Sequence, residues 1–95
     1  MNNFLSAEQI GQFKDDGATL IKGKFDRKWL EKLREGISKD IQNPSPRFVR
    51  HTKDDIAPGY YEDFWTWDLF DEFTDFIHNS PTAKIASELL DANQI

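Results

Sequence analysis

Aromatic side chains are concentrated in one short part of this chain. Eight of its 13 Phe, Trp and Tyr residues lie between Tyr60 and Phe76, and the run EDFWTWDLFDEF sets them among acids. Intervals of three residues separate the members of an aromatic stripe on one face of a predicted helix: Trp67, Phe70, Phe73 and Phe76. Stripes of this kind are usually buried, because large aromatic side chains contribute much of a protein's burial energy. The stripe therefore needs a surface that covers it.

Local capping signals predict where helices begin and end. Ser6 with Gln9 three residues later matches a capping box, in which each side chain binds the other residue's backbone N–H. Gly17 then ends the first helix, since glycine readily adopts the left-handed conformation at a helix C-terminus. Ser80 and Pro81 predict the start of the last helix. The predicted helices run over about 7–16, 27–41, 68–79 and 81–91.

The second predicted helix has one clear apolar face. Leucines and isoleucines recur in it at intervals of three and four residues, at Leu30, Leu33, Ile37 and Ile41. This spacing predicts that the face packs into the core. The run NPSP then ends the helix, because two prolines remove backbone donors and disfavour helical geometry before each of them.

One strand is predicted, over about 18–22, because β-branched residues alternate in the run ATLIKGKF. The stretch 47–61 contains the turn signal Pro58-Gly59 and has no steady period, which is typical of a loop. The predicted fold class is therefore mostly α with one short strand. A single strand leaves backbone groups unpaired on both edges. We therefore expect the 95 residues to be the leading part of a longer protein.

The composition narrows the class of protein and its partners. With 38% hydrophobic and 31% charged residues, the 95-residue chain is typical of one soluble globular unit at most. Its formal net charge of −5 argues against nucleic acid as a partner, since phosphate binding needs clustered Lys and Arg. No run approaches the roughly 20 apolar residues of a membrane span, so no membrane partner is expected. The chain contains no cysteine, which fits a reducing compartment, and we expect a cytoplasmic location.

His51, Asp54 and His78 have the side chains of an iron site, since two imidazoles and one carboxylate can bind ferrous iron. Their spacing does not support such a site, because His51 and Asp54 are not at the alternate positions from which a strand aims two ligands at one metal. Adjacent acids such as Glu62 and Asp63 usually diverge, and solvated surface charge explains them better than acid–base catalysis. We therefore predict no catalytic, metal-binding or cofactor-binding residue in this chain.

A small basic cluster interrupts this acidic chain at Arg47, Arg50, His51 and Lys53. Its members are candidates for binding an anionic group of a substrate, and local ion pairing is the alternative. Trp65 lies off the aromatic stripe and next to the predicted loop, so it is a candidate to line a cleft. The predicted substrate-binding candidates are Arg50, His51, Lys53 and Trp65.

The order of these segments resembles the N-terminal region of the phytanoyl-CoA dioxygenase family. The first block, LSAEQIGQFKDDGATLIKGKF, resembles the family pattern L-T-x-E-Q-x-x-x-F-x-x-D-G-[YF]-x-x-x-x-G-x-F. Ala18 departs from this pattern, which has an aromatic residue at that position. The matching residues are Leu5, Glu8, Gln9, Phe13, Asp16, Gly17, Gly23 and Phe25.

A second block continues the resemblance in the same order. The run FWTWDLFDEFTDFIHNSPTAKIASELL resembles the family's Trp followed by E-F-x-D-F and S-P-x-A-x-I-A-x-x-L-L. The resemblance thereby extends over nearly the whole chain, from Leu5 to Ile95. The matching residues are Trp67, Glu72, Phe73, Asp75, Phe76, Ser80, Pro81, Ala83, Ile85, Ala86, Leu89 and Leu90.

The resemblance implies a non-haem iron oxygenase with a double-stranded β-helix (jelly-roll) core, which uses iron(II), 2-oxoglutarate and oxygen to hydroxylate a small organic substrate. It also implies that the H-x-D motif, the distal His and the basic residue for 2-oxoglutarate lie beyond Ile95. Neither iron nor 2-oxoglutarate is then expected to bind this chain alone. The chain would be a structural buttress whose aromatic stripe packs on that core. The alternative is a free-standing helical module that binds a protein partner through its aromatic surface.

Overall fold

The computed structural model describes residues 4–53 and 57–95. These residues form four helices and one two-stranded antiparallel sheet, so the mostly helical class predicted from the sequence is confirmed. None of the described helices has the length and apolar character needed to cross a membrane. In chain order the elements are α1 (Ala7–Asp16), α2 (Arg27–Gln42), β1 (Val49–Arg50), β2 (Tyr61–Glu62), α3 (Asp71–Asn79) and α4 (Thr82–Leu90).

The first helix, α1, forms where its capping signals place it. The Ser6 hydroxyl accepts a hydrogen bond from the backbone N–H of Gln9 at 3.1 Å, and the Gln9 side chain accepts one from the N–H of Ser6 at 3.0 Å. Gly17 follows the helix with a φ of 78°, in the left-handed region that glycine adopts without a steric penalty. Both ends of α1 therefore match the prediction.

The most extensive contact between elements joins α2 to α3. Gly36 of α2 faces the ring of Phe73, which lies close enough to leave no room for a side chain at that position. The buried Trp29 ring meets Phe76 edge-on, with 5.9 Å between ring centroids. Phe25, just before α2, stacks on the same Phe76 ring at 5.6 Å. An aromatic seam therefore joins the two helices.

Two ion pairs flank this seam. Lys39 Nζ lies 2.6 Å from Glu72 Oε2, and Lys32 pairs with Asp75. The hydrogen bond from Lys39 lowers the pKa of Glu72, and the hydrogen bond from Lys32 lowers the pKa of Asp75. Glu72 is buried, and a buried carboxylate is tolerated only with such a partner. The two lysines therefore favour the ionised forms of Glu72 and Asp75.

The apolar face that the sequence assigns to the core of α2 remains largely uncovered. Leu30, Ile37 and Ile41 are 45%, 51% and 43% exposed, and we call these three residues the α2 face. The α3 helix packs against the neighbouring side of α2, where Gly36 admits a ring and the lysines reach acids. The prediction that these three residues are buried is therefore wrong for this chain.

The third helix begins at Asp71, three residues later than predicted. Phe70 precedes it in an extended conformation with a φ of −128°. The Thr74 hydroxyl donates a hydrogen bond to the carbonyl of Trp67 at 2.6 Å, so the backbone before the helix has a side-chain partner. Helical spacing does not reveal this bond, and the predicted start near residue 68 is corrected for that reason.

The last helix, α4, ties the N-terminal segment to the rest of the chain. The Ser80 hydroxyl accepts a hydrogen bond from the N–H of Thr82 at 3.3 Å, as expected of a capping serine. Glu88 on α4 accepts hydrogen bonds from the N–H groups of Phe4 and Leu5 at 3.0 and 2.9 Å. Leu5 is buried beside this carboxylate. One glutamate therefore fixes the segment that leads into α1.

The strand predicted over about 18–22 is wrong, because these residues form no regular secondary structure. The Thr19 hydroxyl instead donates to the Gln12 side chain of α1 at 2.7 Å. Strand pairing occurs in the stretch 47–61 predicted as a loop and extends one residue beyond it, since β1 and β2 run antiparallel with Val49 opposite Glu62. Alternation of residues favours a strand only where a second strand lies beside it.

The chain encloses little core. Leu5 and Trp29 are the buried hydrophobic side chains of the described residues. The Cα radius of gyration is 16.4 Å, whereas a compact domain of this length has a value of about 12 Å. The extents of 50 × 27 × 24 Å describe an elongated molecule. Much of the apolar surface that folding would normally bury therefore stays in contact with water.

Gly36→Ala should destabilise the chain by about 1–3 kcal/mol, the range for overpacked sites. A Cβ at this position would lie 2.6 Å from Phe73 Cε1, so the ring or the helix must shift. Gly11→Ala in α1 is the matched control, since nothing lies within 4 Å of its Cβ and alanine is favoured over glycine in helices by about 1 kcal/mol. Urea unfolding followed by circular dichroism measures both changes. Equal effects of the two substitutions would contradict the close contact.

Candidate functional site

An open groove lies between α3 and the segment that precedes it. We call it the aromatic groove, and its volume is about 360 Å³. Three of the side chains that line it come from α3, namely Phe73, Phe76 and Ile77. They lie on one face of the helix because they are separated by three and four residues along the chain. Trp67 and Ile77 remain 47% and 42% exposed, so this part of the groove wall is open to water. The lining residues are Trp65, Thr66, Trp67, Phe73, Phe76 and Ile77.

Trp65 forms the outer wall of the aromatic groove in a strained conformation. Its φ of 53° lies in the left-handed region, which is unfavourable for a bulky side chain. Arg47 stabilises this conformation, since its Nε donates to the carbonyl of Phe64 at 2.9 Å and its Nη2 donates to the carbonyl of Trp65 at 3.3 Å. The Arg47 guanidinium also lies 5.4 Å from the centroid of the Trp65 ring. Trp65 is nevertheless 77% exposed, so its ring is held in place and open to contact.

Arg50, a predicted substrate-binding residue, holds the hairpin together. Its Nη1 donates to the Tyr61 hydroxyl at 2.5 Å, and its guanidinium lies 4.9 Å from the centroid of that ring. Its Nε and Nη2 donate to the carbonyls of Thr52 and Lys53 at 3.0 and 2.9 Å. These contacts are hydrogen bonds and a cation–π contact within the hairpin.

His51 and Lys53 lie in the same hairpin. His51 Nε2 lies 2.6 Å from Glu62 Oε2, and its ring contacts Tyr60 edge-on. The Lys53 side chain is exposed. The structure therefore brings Arg50, His51 and Lys53 together, whereas Trp65 belongs to the aromatic groove.

Iron(II), which the resemblance implies, has no suitable set of ligands in the described residues. His51 is engaged with Glu62, and Nδ1 of His78 lies 2.9 Å from the Thr74 carbonyl, to which it donates. The two histidines thus belong to the hairpin and to α3 respectively. Asp54, the third member of the trio considered from the sequence, lies outside the described residues.

An acid pair that the sequence does not reveal lies where α2 ends. Asp40 and Asp63 both line a cavity of about 260 Å³. Ser45 donates to Asp63 through its N–H at 3.0 Å and through its hydroxyl, and the N–H of Phe64 adds a third bond at 2.9 Å. Asp40 Oδ1 is buried, and it has no hydrogen-bond partner among the described residues.

The environment separates the pKa values of these two acids. Burial raises the pKa of Asp40 from 3.8 to about 6, and the hydrogen bond and negative charge of Asp63 add to this effect. Burial acts in the same direction on Asp63, but hydrogen bonds from Ser45, Asp40 and Phe64 outweigh it and lower the pKa of Asp63 to about 2. The sequence predicts that Glu62 and Asp63 are solvated surface charges, whereas in the structure Asp63 lines a cavity together with Asp40.

Comparisons of the chain with protein-family models, with curated proteins and with solved structures give no match. The resemblance to phytanoyl-CoA dioxygenases therefore rests on the two sequence blocks alone.

Arg47→Ala should release Trp65 from its strained conformation and cost about 0.5–1 kcal/mol, the value for an exposed cation–π contact. The backbone amide and indole NMR signals of Trp65 should move towards random-coil positions. Arg47→Lys should not restore them, because an ammonium group lacks the planar fork that binds two carbonyls and stacks on a ring. Arg34→Ala, at an exposed position of α2, is the control. Unchanged Trp65 signals in Arg47→Ala would show that the arginine does not hold the ring.

Proposed function

We propose that this chain is the N-terminal helical part of a phytanoyl-CoA dioxygenase-like oxygenase and acts as a buttress for its jelly-roll core. The parent enzyme would hydroxylate an unactivated C–H bond of a small organic substrate in the cytoplasm. Iron(II) and 2-oxoglutarate would supply the oxidising chemistry, and both would bind to the core. The chain's own residues would contribute packing surface.

The uncovered apolar surface is the observation that carries this proposal. The aromatic groove and the α2 face expose large side chains to water, and monomeric proteins rarely leave large contiguous apolar patches exposed. Covering each large apolar side chain stabilises a protein by about 1.5–3 kcal/mol. A sheet of a jelly-roll core, whose faces are also apolar, is a suitable cover. Each of the two sequence blocks contributes to this arrangement, since Phe25 of the first block stacks on Phe76 of the second.

A second candidate function is that of a free-standing protein-binding module. The geometry of Trp65 favours it, because Arg47 presents the ring in one fixed and exposed position. Tryptophan is enriched among the residues that dominate binding energy at protein interfaces. A rigid aromatic anchor also loses little conformational entropy when it binds. The two candidates differ in what covers the same surface, a core in the same polypeptide or a separate protein.

The size and activity of the native polypeptide distinguish the two candidates. An antibody raised against this chain isolates that polypeptide from its source, and its intact mass is then measured. We expect a mass well above 11.1 kDa and iron(II)-dependent release of succinate from 2-oxoglutarate. The recombinant 95-residue chain is the control and should release none. A native polypeptide of 11.1 kDa without succinate release would overturn the oxygenase proposal in favour of the module.

Serine substitutions in the aromatic groove test whether this surface is apolar and available. Trp67→Ser and Ile77→Ser together should remove most of the binding of a hydrophobic dye and most of the self-association of the recombinant chain. Because both side chains are only about half exposed, the two substitutions together should lower the free energy of unfolding by about 1.5–3 kcal/mol, half of the value for full burial of each. Leu20→Ser, an exposed leucine outside the groove, is the matched control. Equal dye binding by all three proteins would show that the groove is not the exposed apolar site.

A further inference from the structure

A cavity of about 430 Å³ lies between α1 and the end of α4, and we call it the α1–α4 cavity. Its lining residues include Ile10, Lys14, Glu88, Asp91, Ala92 and Asn93. We propose that this cavity binds a small zwitterion, a molecule with one ammonium and one carboxylate group on a short carbon chain. Lys14 binds the carboxylate, and Asp91 binds the ammonium group. Both side chains belong to this chain, so the site does not depend on the proposed oxygenase function.

Two opposite charges line this cavity without pairing to each other. Lys14 lies in the last turn of α1, and Asp91 directly follows α4. Neither side chain has a hydrogen-bond or ion-pair partner within residues 4–53 and 57–95, and the same is true of the Asn93 amide. A ligand with a complementary charge at each end forms a charge-assisted hydrogen bond to both residues at once. The amide of Asn93 adds a donor and an acceptor to the same wall.

The other polar side chains of the cavity wall are engaged within the fold. Each carboxylate oxygen of Glu88 accepts one backbone hydrogen bond, from the N–H groups of Phe4 and Leu5. The Ser87 hydroxyl donates to the carbonyl of Lys84 at 2.9 Å. The Lys84 ammonium group lies 5.0 Å from the centroid of the Phe4 ring. One cation and one anion therefore remain on this wall to select a ligand.

The backbone at the end of α4 places the ammonium group of the ligand at Asp91. This residue has a φ of 52° and a ψ of 47°, in the left-handed region where a helix usually ends on glycine. Aspartate is less favourable than glycine in that conformation, so capping of the helix does not account for a carboxylate at this position. The last carbonyl groups of α4 also carry a partial negative charge. Both features favour a cation at this end of the cavity.

The rest of the cavity wall suits a small molecule better than a protein partner. Ile10 and Ala92 give the wall an apolar part, against which the methylene groups of a short chain are buried favourably. The cavity volume of about 430 Å³ lies in the range of small-molecule sites, which is about 300–1,000 Å³. The centre of a protein–protein interface is depleted in charged residues, whereas this cavity contains charges of both signs.

NMR titration of the whole chain with glycine, β-alanine and γ-aminobutyrate tests the site, because these zwitterions differ only in the distance between their charges. At least one of them should shift the side-chain signals of both Lys14 and Asp91. The amine and the carboxylate of the same chain length keep one charge each, and each should bind about fivefold more weakly than that zwitterion, the upper value for one exposed ion pair. Equal binding of the amine or of the carboxylate overturns the proposal. So does the absence of shifts at Lys14 and Asp91 with all three zwitterions.

Lys14→Met and Asp91→Asn each remove one charge, and each should weaken binding of the zwitterion about fivefold. Asparagine is also found in the left-handed conformation at helix ends, so the second variant keeps the end of α4. Lys14→Met should leave binding of the amine unchanged, because the amine contacts Asp91, and this result separates a lost charge from a lost fold. Asp15→Asn, at an exposed position of α1 outside the cavity wall, is the matched control. Equal affinity of the control and both variants for the zwitterion overturns the proposal.

Discussion

The close approach of Phe73 to Gly36 is the contact on which the rest of the fold depends. It sets the side of α2 that α3 covers, and the lysines on that side then reach Glu72 and Asp75. A side chain larger than hydrogen at position 36 would push the helices apart and separate these charges. Packing on this side of α2 is unfavourable in one respect, because it leaves the apolar side chains of the α2 face exposed to water. The exposed surface of this chain is therefore a consequence of how its helices pack.

The sequence predicts the parts of the fold that local interactions determine. The ends of α1 follow from Ser6, Gln9 and Gly17, each of which acts within one helical turn. The predicted strand over 18–22 and the early start of α3 fail because they depend on distant partners. A strand needs a neighbouring strand. The backbone before α3 is held by a hydrogen bond from the Thr74 hydroxyl to the Trp67 carbonyl, which the periodicity of the sequence does not predict. The sequence does not predict the hairpin, because each of its strands has only 2 residues and shows no alternation.

In the candidate site, too, the sequence predicts local features and does not predict those that depend on distant partners. Trp65 could be singled out from the sequence, because it interrupts the helical spacing of the other rings. Its strained backbone and its contact with Arg47 could not, since these depend on how the chain turns between β2 and α3. The charge of Arg50 makes it a candidate to bind an anion, and in the structure its guanidinium group donates to Tyr61 within the hairpin. Asp40 and Asp63 belong to different elements, so their pairing is visible only after folding.

One chain of contacts connects the acid pair to the aromatic groove. The Ser45 hydroxyl donates to Asp63 and accepts a hydrogen bond from the N–H of Arg47 at 3.1 Å. The side chain of Arg47 in turn holds the Trp65 backbone in the left-handed region and lies over its ring. Loosening Ser45 from Asp63 therefore removes an anchor of the arginine, and the strain stored at Trp65 then favours a different position of the ring. The Ser45–Asp63 hydrogen bond and the shape of the groove wall are physically linked, because the same short segment serves both.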